Sequence, residues 1–554
     1  MADNAPPAEG AAAPSKNALK KAQKEAEKAA KKAAAKEREM AERLKQQSGD
    51  AANDVSKDDY GELPMIGSVP YTPSGQKRVK FTELKEQEEP VVFRCTVINA
   101  RSQSAKLAFL NLRQGDETIQ AVVAASEKLS RQMVKFAGSV SAQSIVLVHG
   151  LVRGVKEPIK SATLKNLEVH IQKLYIISKA DAQLPLQVED AERPLPDEGA
   201  TAEEQQKSEE GERPRVALAT RLDNRVLDLR ATHNRAIFRI KSGICALYAE
   251  FMHSKGFTQI QTPKLLGAAS EGGSNVFECT YFDRKAYLAQ SPQLYKQMLI
   301  AGGFERVFEV GPVFRAENSN TARHLTEFTG LDMEMAFEED YHEVVDLIVE
   351  MLLYIFNGLR ERYSKETDII REWASGGKNT IEDFKLPADG KVPIIAFKDG
   401  VQMLRDAGEQ LGDYEDLSTP QEKLLGKLVL DKYGSDFYVL DQFPLAVRPF
   451  YTMPSPHDPN LSNSYDMFMR GQEIMSGAQR VHDPTLLIQR CKGMDPPVNP
   501  DGPGLKDYVD GFRYGCPPHA GGGFGLERIV SFWAGVGNVR LASLFPRDPQ
   551  RIMP

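Results

Sequence analysis

The sequence predicts an α+β protein of several domains, and three observations carry that reading. At 554 residues the chain is too long for one hydrophobic core, so two or three domains are expected. One stretch of about 100 residues is written in short alternating strands, whereas the larger remainder mixes strands with long helical repeats. Charged segments poor in aromatic residues precede and separate the two, and such segments cannot build a core of their own.

The first charged segment is basic. Between Lys16 and Lys45, 11 Lys or Arg stand against 5 Glu, in a background of alanine. Helix propensity there is high, but almost no apolar stripe is available for burial. Residues 1–75 are therefore expected to form a lysine-rich, flexible arm that binds RNA phosphates without sequence preference, with an affinity that falls as salt rises. The net charge of −7 for the whole chain hides this local excess.

The strand-rich stretch follows. VVFRCTVINARSQSAKLAFLNLRQGDETIQAVVAA, SIVLVHGLVRGVKEPI and NLEVHIQKLYIIS alternate apolar and polar residues, with a helical ASEKLSRQMVKFAG among them. Five short strands and one helix over residues 76–180 predict a small closed barrel of the oligonucleotide-binding type (OB-fold), a pattern that other small β-barrels share. Residues 181–219, which include EDAERPLPDEGATAEEQQKSEEGER, read as an acidic linker or hinge.

From residue 220 to 554 the pattern is that of a large mixed domain. Ile237, Ile240, Ile244, Leu247 and Phe251 recur at helical spacing and Gly256 supplies a helix stop. TQIQTPKLL then reads as a short edge strand that tolerates Pro263. GPVFRAENSNTARHLTEFTGLDMEMAF (Gly311 to Phe337) enters and leaves in strand rhythm, so it predicts an antiparallel hairpin whose loop carries Arg315, Glu317, Arg323 and His324. AGGGFGLERIV (Ala520 to Val530) predicts a flexible glycine run leading into an apolar helix that begins near Arg528. Two arginines delivered by rigid elements suit a polyphosphate held without a P-loop. The charged segment from Asp340 to about Tyr438 reads as domain filling with no assigned chemistry.

No apolar run approaches the roughly 20 residues that span a bilayer, and the N-terminus lacks the apolar core of a secretory leader. Cys95, Cys245, Cys279, Cys491 and Cys516 are scattered without a CxxC pair. A cytosolic protein with reduced thiols, no membrane segment and no zinc site is expected.

FRAEN, RHLTEF and GGGFGLERI resemble motifs 2 and 3 of class II aminoacyl-tRNA synthetases. QSPQLYKQ and SGAQR are similar to the aspartate-specific members of subclass IIb, in their archaeal and eukaryotic form. The resemblance covers residues 76 to 554. It implies a catalytic domain built on an antiparallel sheet flanked by helices, an anticodon-binding barrel, and a homodimer through the helix–strand pair that contains Pro263. It implies ATP, L-aspartate and tRNA(Asp) as substrates and Mg²⁺ as the cofactor accompanying ATP.

By the same resemblance Arg315, Arg528 and Glu473 would be catalytic, with Arg315 on the α-phosphate and Arg528 on the γ-phosphate. Phe328 would stack on adenine near Glu317, His324 would face the β/γ-phosphates, and Arg323, Leu325 and Gly525 would complete the ATP site. Asp466 and Glu473 would hold Mg²⁺, whose hard character favours carboxylate oxygens. Glu271, Gln293, Lys296, Asp332, Ser476 and Arg480 would bind the amino acid, with Glu271 and Asp332 available to the α-ammonium group. Phe109, Gln120 and Glu168 would read anticodon bases.

Two cations, Lys296 and Arg480, converging on one pocket favour an anionic side chain. A lysine substrate would be repelled, and asparagine would turn donors toward donors at roughly 1–3 kcal/mol for each unpaired group. The alternatives are an asparaginyl or lysyl enzyme of the same class, a non-catalytic RNA-binding paralogue, and a free-standing ligase using aspartyl-adenylate. Arg315, Glu473 and Arg528 standing together disfavour the paralogue, and a barrel of the anticodon type disfavours the free-standing ligase.

Overall fold

A computed structural model of the chain describes residues 54–70, 75–193, 215–268, 275–374, 383–387 and 389–553. The Lys16–Lys45 run, Glu271 and most of the acidic linker lie outside these residues. The chain divides into two compact units, Met1–Leu184 and Pro185–Pro554.

The first unit is a closed barrel. Its strands are β1 (Tyr60–Glu62), β2 (Val91–Ser104), β3 (Leu107–Gln114), β4 (Glu117–Ala124), β5 (Ile145–Gly154) and β6 (Leu167–Ser178). They pair in the order β1-β6-β4-β3-β2-β5, and the β5–β6 ladder closes the ring. Alternation does the work: in β5 every second residue from Val146 to Val152 is buried. Phe93, Leu110, Ile119, Val148 and Ile171 fill the interior, and Met133, Val134 and Ala137 of the helix Arg131–Gly138 plug one end. The Ser130 hydroxyl caps that helix by accepting from Met133 N.

The ordered unit begins before residue 76, where a flexible arm was expected. β1 pairs in parallel with β6, and the Tyr60 ring packs on Phe136 at 5.0 Å between centroids. One aromatic anchor in a polar stretch leaves no periodic signal, which is why the sequence pattern missed it.

The second unit starts inside the expected linker. Leu186, Val188 and Ala191 are buried around the short helix Val188–Ala191. Glu192 then accepts from Thr232 N at 3.0 Å. It satisfies the first turn of the helix Thr232–Ser254, whose own N-cap, Ala231, has no side-chain acceptor. That helix buries Ile237, Ile240, Ile244, Leu247 and Phe251 and stops where Gly256 takes φ +79°.

An eight-stranded sheet forms the centre of this unit. Its strands are β7 (Thr258–Gln259), β11 (Arg306–Phe314), β12 (Glu327–Ala336), β13 (Ile394–Ala396), β14 (Phe437–Asp441), β15 (Ser464–Met469), β16 (Gln472–Gln479) and β17 (His519–Gly525). The order is β13-β14-β15-β16-β17-β12-β11-β7, antiparallel except at the two edges. A separate small sheet holds β8 (Leu265–Leu266), β9 (Glu278–Tyr281) and β10 (Arg284–Leu288).

One face of the large sheet is the core. Leu331, Met333, Met335, Met475 and Phe524 pack there against the helices Thr232–Ser254, His342–Arg362 and Leu526–Ala534. Period-two alternation sends Asp332, Glu334 and Ser476 to the opposite face.

Three local expectations are corrected. Pro263 is exposed but lies between β7 and β8, not in a strand. The residues beside it are tied to the hairpin instead, Thr262 Oγ1 and Lys264 Nζ both donating to Glu309. The glycine triplet is no flexible loop: Gly521, Gly522 and Gly523 are central strand residues of β17. An added Cβ at Gly521 would collide with the Met333 carbonyl, and one at Gly523 would meet Asp332 Oδ1 at 2.7 Å. The segment after Asp340 is more than filling, because β13 and β14 extend the sheet and the helix Thr419–Tyr433 packs beside β16.

Candidate active site

The predicted hairpin exists, β11 and β12 pairing from Arg306↔Met335 to Phe314↔Glu327. Its loop rises over a cleft of about 260 Å³ on the non-core face of the sheet. The cleft is lined by Arg315, Glu317, Arg323, His324, Leu325, Phe328, Asp332, Gln293, Glu473, Ser476, Arg480, Gly525 and Arg528, gathered from four separate chain segments. Lys296 and Asp466, also expected to touch ligand, are not on its wall.

The cleft has two electrostatic halves. In the first, Arg315, Arg323 and Arg528 converge. The Arg315 guanidinium sits 5.4 Å from the Phe328 ring centroid and 3.8 Å from Glu317. Arg528 donates to the Glu473 carbonyl at 3.2 Å, with the Glu473 carboxylate at 3.9 Å. Burial, and then the neighbouring Arg315 and Arg323, lower the Arg528 pKa. The His324 pKa is also lowered, by burial and then by Arg528, so its ring is neutral at pH 7. Three crowded guanidiniums and a neutral imidazole form a site that a polyanion relieves.

Glu422, from the helix Thr419–Tyr433, stands 3.5 Å from Arg323 of this half although no motif announced it. Its pKa is pushed up to about 6, by burial and then by Glu473, against the pull of Arg323 and Arg528.

The second half is a buried ion cluster. Arg480 donates to Glu334 through Nε at 2.9 Å and Nη2 at 3.2 Å, and to the Gly521 carbonyl at 2.8 Å. Lys296 donates to Asp332 at 3.0 Å and to the carbonyls of Met333 and Gly522, with Glu334 at 3.7 Å. Gln293 accepts from Arg480 and donates to Glu334.

Burial opposes the charge on Glu334, yet Arg480 and Lys296 hold its pKa below the ordinary range. At Asp332 burial wins over Lys296 and the pKa is raised. Burial also drops His519 to about 4, so it adds no charge. The expectation that Lys296 reaches the amino-acid pocket beside Arg480 is thus corrected. Each cation has a carboxylate, and Lys296 lies entirely beneath the cleft floor, holding Asp332 and Glu334 from behind. Glu334, absent from the expected set, is the group that fixes Arg480.

The metal expectation divides. Glu473 lies on the cleft wall beside the arginines. Asp466 is buried and ion-paired with Arg448 Nη2 at 2.9 Å, while Arg448 Nη1 donates to Ser476 Oγ at 2.6 Å. Burial, against the pull of Arg448, pushes Asp466 up to about 7. No group of three or more His, Cys, Asp or Glu able to hold a metal occurs among the described residues. One wall carboxylate completed by substrate phosphates is nevertheless a normal Mg²⁺ arrangement, so Glu473 fits and Asp466, as positioned, does not.

In the barrel, Phe109 is half-buried and not part of the core, with the Arg101 guanidinium 5.5 Å from its ring centroid. Gln120 and Glu168 are direct partners across β4 and β6, and Gln120 Nε2 donates to Glu168 Oε1 at 2.6 Å. The three expected base contacts thus lie on adjacent strands β3, β4 and β6.

The pattern of the family described as tRNA synthetases class II (D, K and N) matches residues 217–549. The cytoplasmic aspartate–tRNA ligase of Homo sapiens is 50% identical over 507 residues, covering 91% of this chain and 96% of that protein. Its counterpart in Caenorhabditis elegans is 48% identical, covering 90% and 91%. Among solved structures, the aspartyl tRNA synthetase of Entamoeba histolytica superimposes with a TM-score of 0.79 at 44% identity, covering 90% of this chain and 96% of that one. All five cysteines are free, and among the described residues no helix is long and apolar enough to cross a membrane.

Proposed function

The chain belongs to the class II tRNA synthetases and, within them, to the cytoplasmic aspartate–tRNA ligases, and on that premise we propose how its residues divide the reaction. The enzyme activates L-aspartate with ATP to aspartyl-adenylate and transfers the aspartyl group to tRNA(Asp). The observation that carries the assignment of residues is the division of one cleft into an arginine-rich half and a buried ion cluster.

Adenine stacks on Phe328, and the triphosphate lies among Arg315, Arg323 and Arg528. The arginines neutralise charge as the substrate carboxylate attacks the α-phosphorus and pyrophosphate departs. Mg²⁺ bound to ATP would be held through Glu473 and would neutralise phosphate charge there. No side chain acts as nucleophile. Alignment comes from the rigid strands β12, β16 and β17.

Aspartate enters above Arg480, whose guanidinium takes the side-chain carboxylate. Asp332, held by Lys296, takes the α-ammonium group. Glu334 spends its charge on Arg480 and fixes the plane of the fork. An asparagine side chain would leave an amide N–H against this guanidinium, a mismatch of the kind that discriminates without editing. The tRNA is read at its anticodon by Phe109, Gln120 and Glu168, with the lysine-rich extension adding phosphate contacts. A homodimer formed through the Pro263 region is supported by the exposure of that residue.

Pyrophosphate exchange with aspartate, asparagine and lysine tests the substrate assignment. Only aspartate should support exchange, and equal exchange with asparagine refutes the role given to Arg480.

A further inference from the structure

The helix Thr419–Tyr433 lies outside every motif that the site was expected to use, yet it brings two side chains to Arg323, which lines the ATP half of the cleft. Its first turn is locked by a capping box, the Ser418 hydroxyl accepting from Gln421 N and the Gln421 side chain accepting from Ser418 N. Its middle is locked by close backbone packing: a Cβ on Gly426 would collide with Gly471, in the turn that leads directly to Glu473. The helix start is therefore held in fixed relation to the cleft wall.

From that start, Thr419 Oγ1 accepts from Arg323 Nη2 at 2.6 Å, and the Glu422 carboxylate faces Arg323 Nη1 at 3.5 Å. Both contacts are partly buried. Arg323 comes from the hairpin loop and has no strand of its own to hold it. A guanidinium offers five N–H donors in one plane, so binding two points on the helix still leaves donors aimed at the cleft that Arg323 lines.

We propose that Thr419 and Glu422 are positioning residues for the ATP step, fixing the Arg323 guanidinium so that it meets the triphosphate as an oriented fork. The inference rests on the reading of Arg323 as an ATP contact. The helix supplies the order that a long loop side chain otherwise lacks, before ATP arrives.

The test is pyrophosphate exchange on the full-length enzyme, with ATP and aspartate varied separately. Thr419→Val, which keeps the shape and removes the acceptor, should raise the ATP KM by about 5- to 10-fold while the aspartate KM stays within about twofold. Thr419→Ser should restore the parent value, and Glu422→Gln should shift the ATP KM in the same direction as Thr419→Val. In an Arg323→Ala background both substitutions should have no further effect, because their action runs through that guanidinium. A lowered ATP KM in Glu422→Gln, or a full effect persisting in the Arg323→Ala background, overturns this inference alone. An unchanged ATP KM in Arg323→Ala itself overturns both the inference and the ATP reading beneath it.

Discussion

Arg480→Gln is the sharpest probe of the amino-acid pocket, because the structure separates its two consequences. The first falls on substrate. Removing a charge-assisted partner of the aspartate carboxylate should cost about 1.5–3 kcal/mol, or roughly 10- to 150-fold in kcat/KM for aspartate. The second falls on the fold, since Glu334 is wholly buried and loses the two bonds at 2.9 and 3.2 Å. Lys296 remains 3.7 Å from Glu334, so the destabilisation should stay below the roughly 3–5 kcal/mol of a buried charge left alone. Pyrophosphate exchange with each substrate varied in turn reads the first effect, and thermal unfolding reads the second. The ATP KM should change by less than about threefold, because no arginine of the triphosphate half touches Glu334 among the described contacts. An aspartate KM within twofold of the parent, in a variant that is demonstrably folded, would falsify the pocket as drawn.

Two further outcomes are expected. His342 bonds Asp441 at 2.9 Å and also Asp340; the Asp441 hydrogen bond, working against burial, raises its pKa from 6.5 to about 9. Its folded pKa lies above the unfolded one, so its contribution to stability is complete below about pH 6.5 and disappears as pH rises through about 9. The melting temperature of the parent should accordingly fall more than that of His342→Gln across that window, and parallel curves would refute the linkage. Phe109→Ala should raise the tRNA KM by roughly 5- to 150-fold, the range of one lost base stack, while tRNA-independent pyrophosphate exchange stays unchanged. Unaltered aminoacylation of tRNA(Asp) would remove Phe109 from the reading surface.

What the sequence made legible was whatever repeats or clusters along the chain. The hairpin of Arg315 and Arg323 shows in its strand rhythm, the barrel in its alternation, and the long helix in Ile237, Ile240 and Ile244. What it hid was whatever depends on elements meeting from afar. Glu334 alternates with Met333 and Met335 like any polar strand residue, and only the arrival of β17 and of Arg480 reveals a buried anchor. Asp466 carries the expected motif, but Arg448, 18 positions upstream, claims it. Glu422 lies on a charged helix where a carboxylate is unremarkable until Arg323 and Glu473 close on it. The glycine triplet misled for the opposite reason. Glycine signals both freedom and lack of space, and here the crowding of Met333 and Asp332 against β17 decides for the second.

The pairing of β12 with β17 also governs when this enzyme can exist. Lys296 meets the Gly522 carbonyl across 226 residues, and Arg480 meets Glu334 across 146. Closing loops of that length must precede the reward of the contacts they create. A nascent chain that has emerged only to β16 holds Asp332 and Glu334 without the strand that pairs beside them, and lacks Arg528 altogether. The cleft is therefore complete only once β17 and Arg528 have been made, whereas the barrel, which lies within the unit ending at Leu184, is complete much earlier. For the time between, the ribosome carries a folded barrel and an uncompleted cleft.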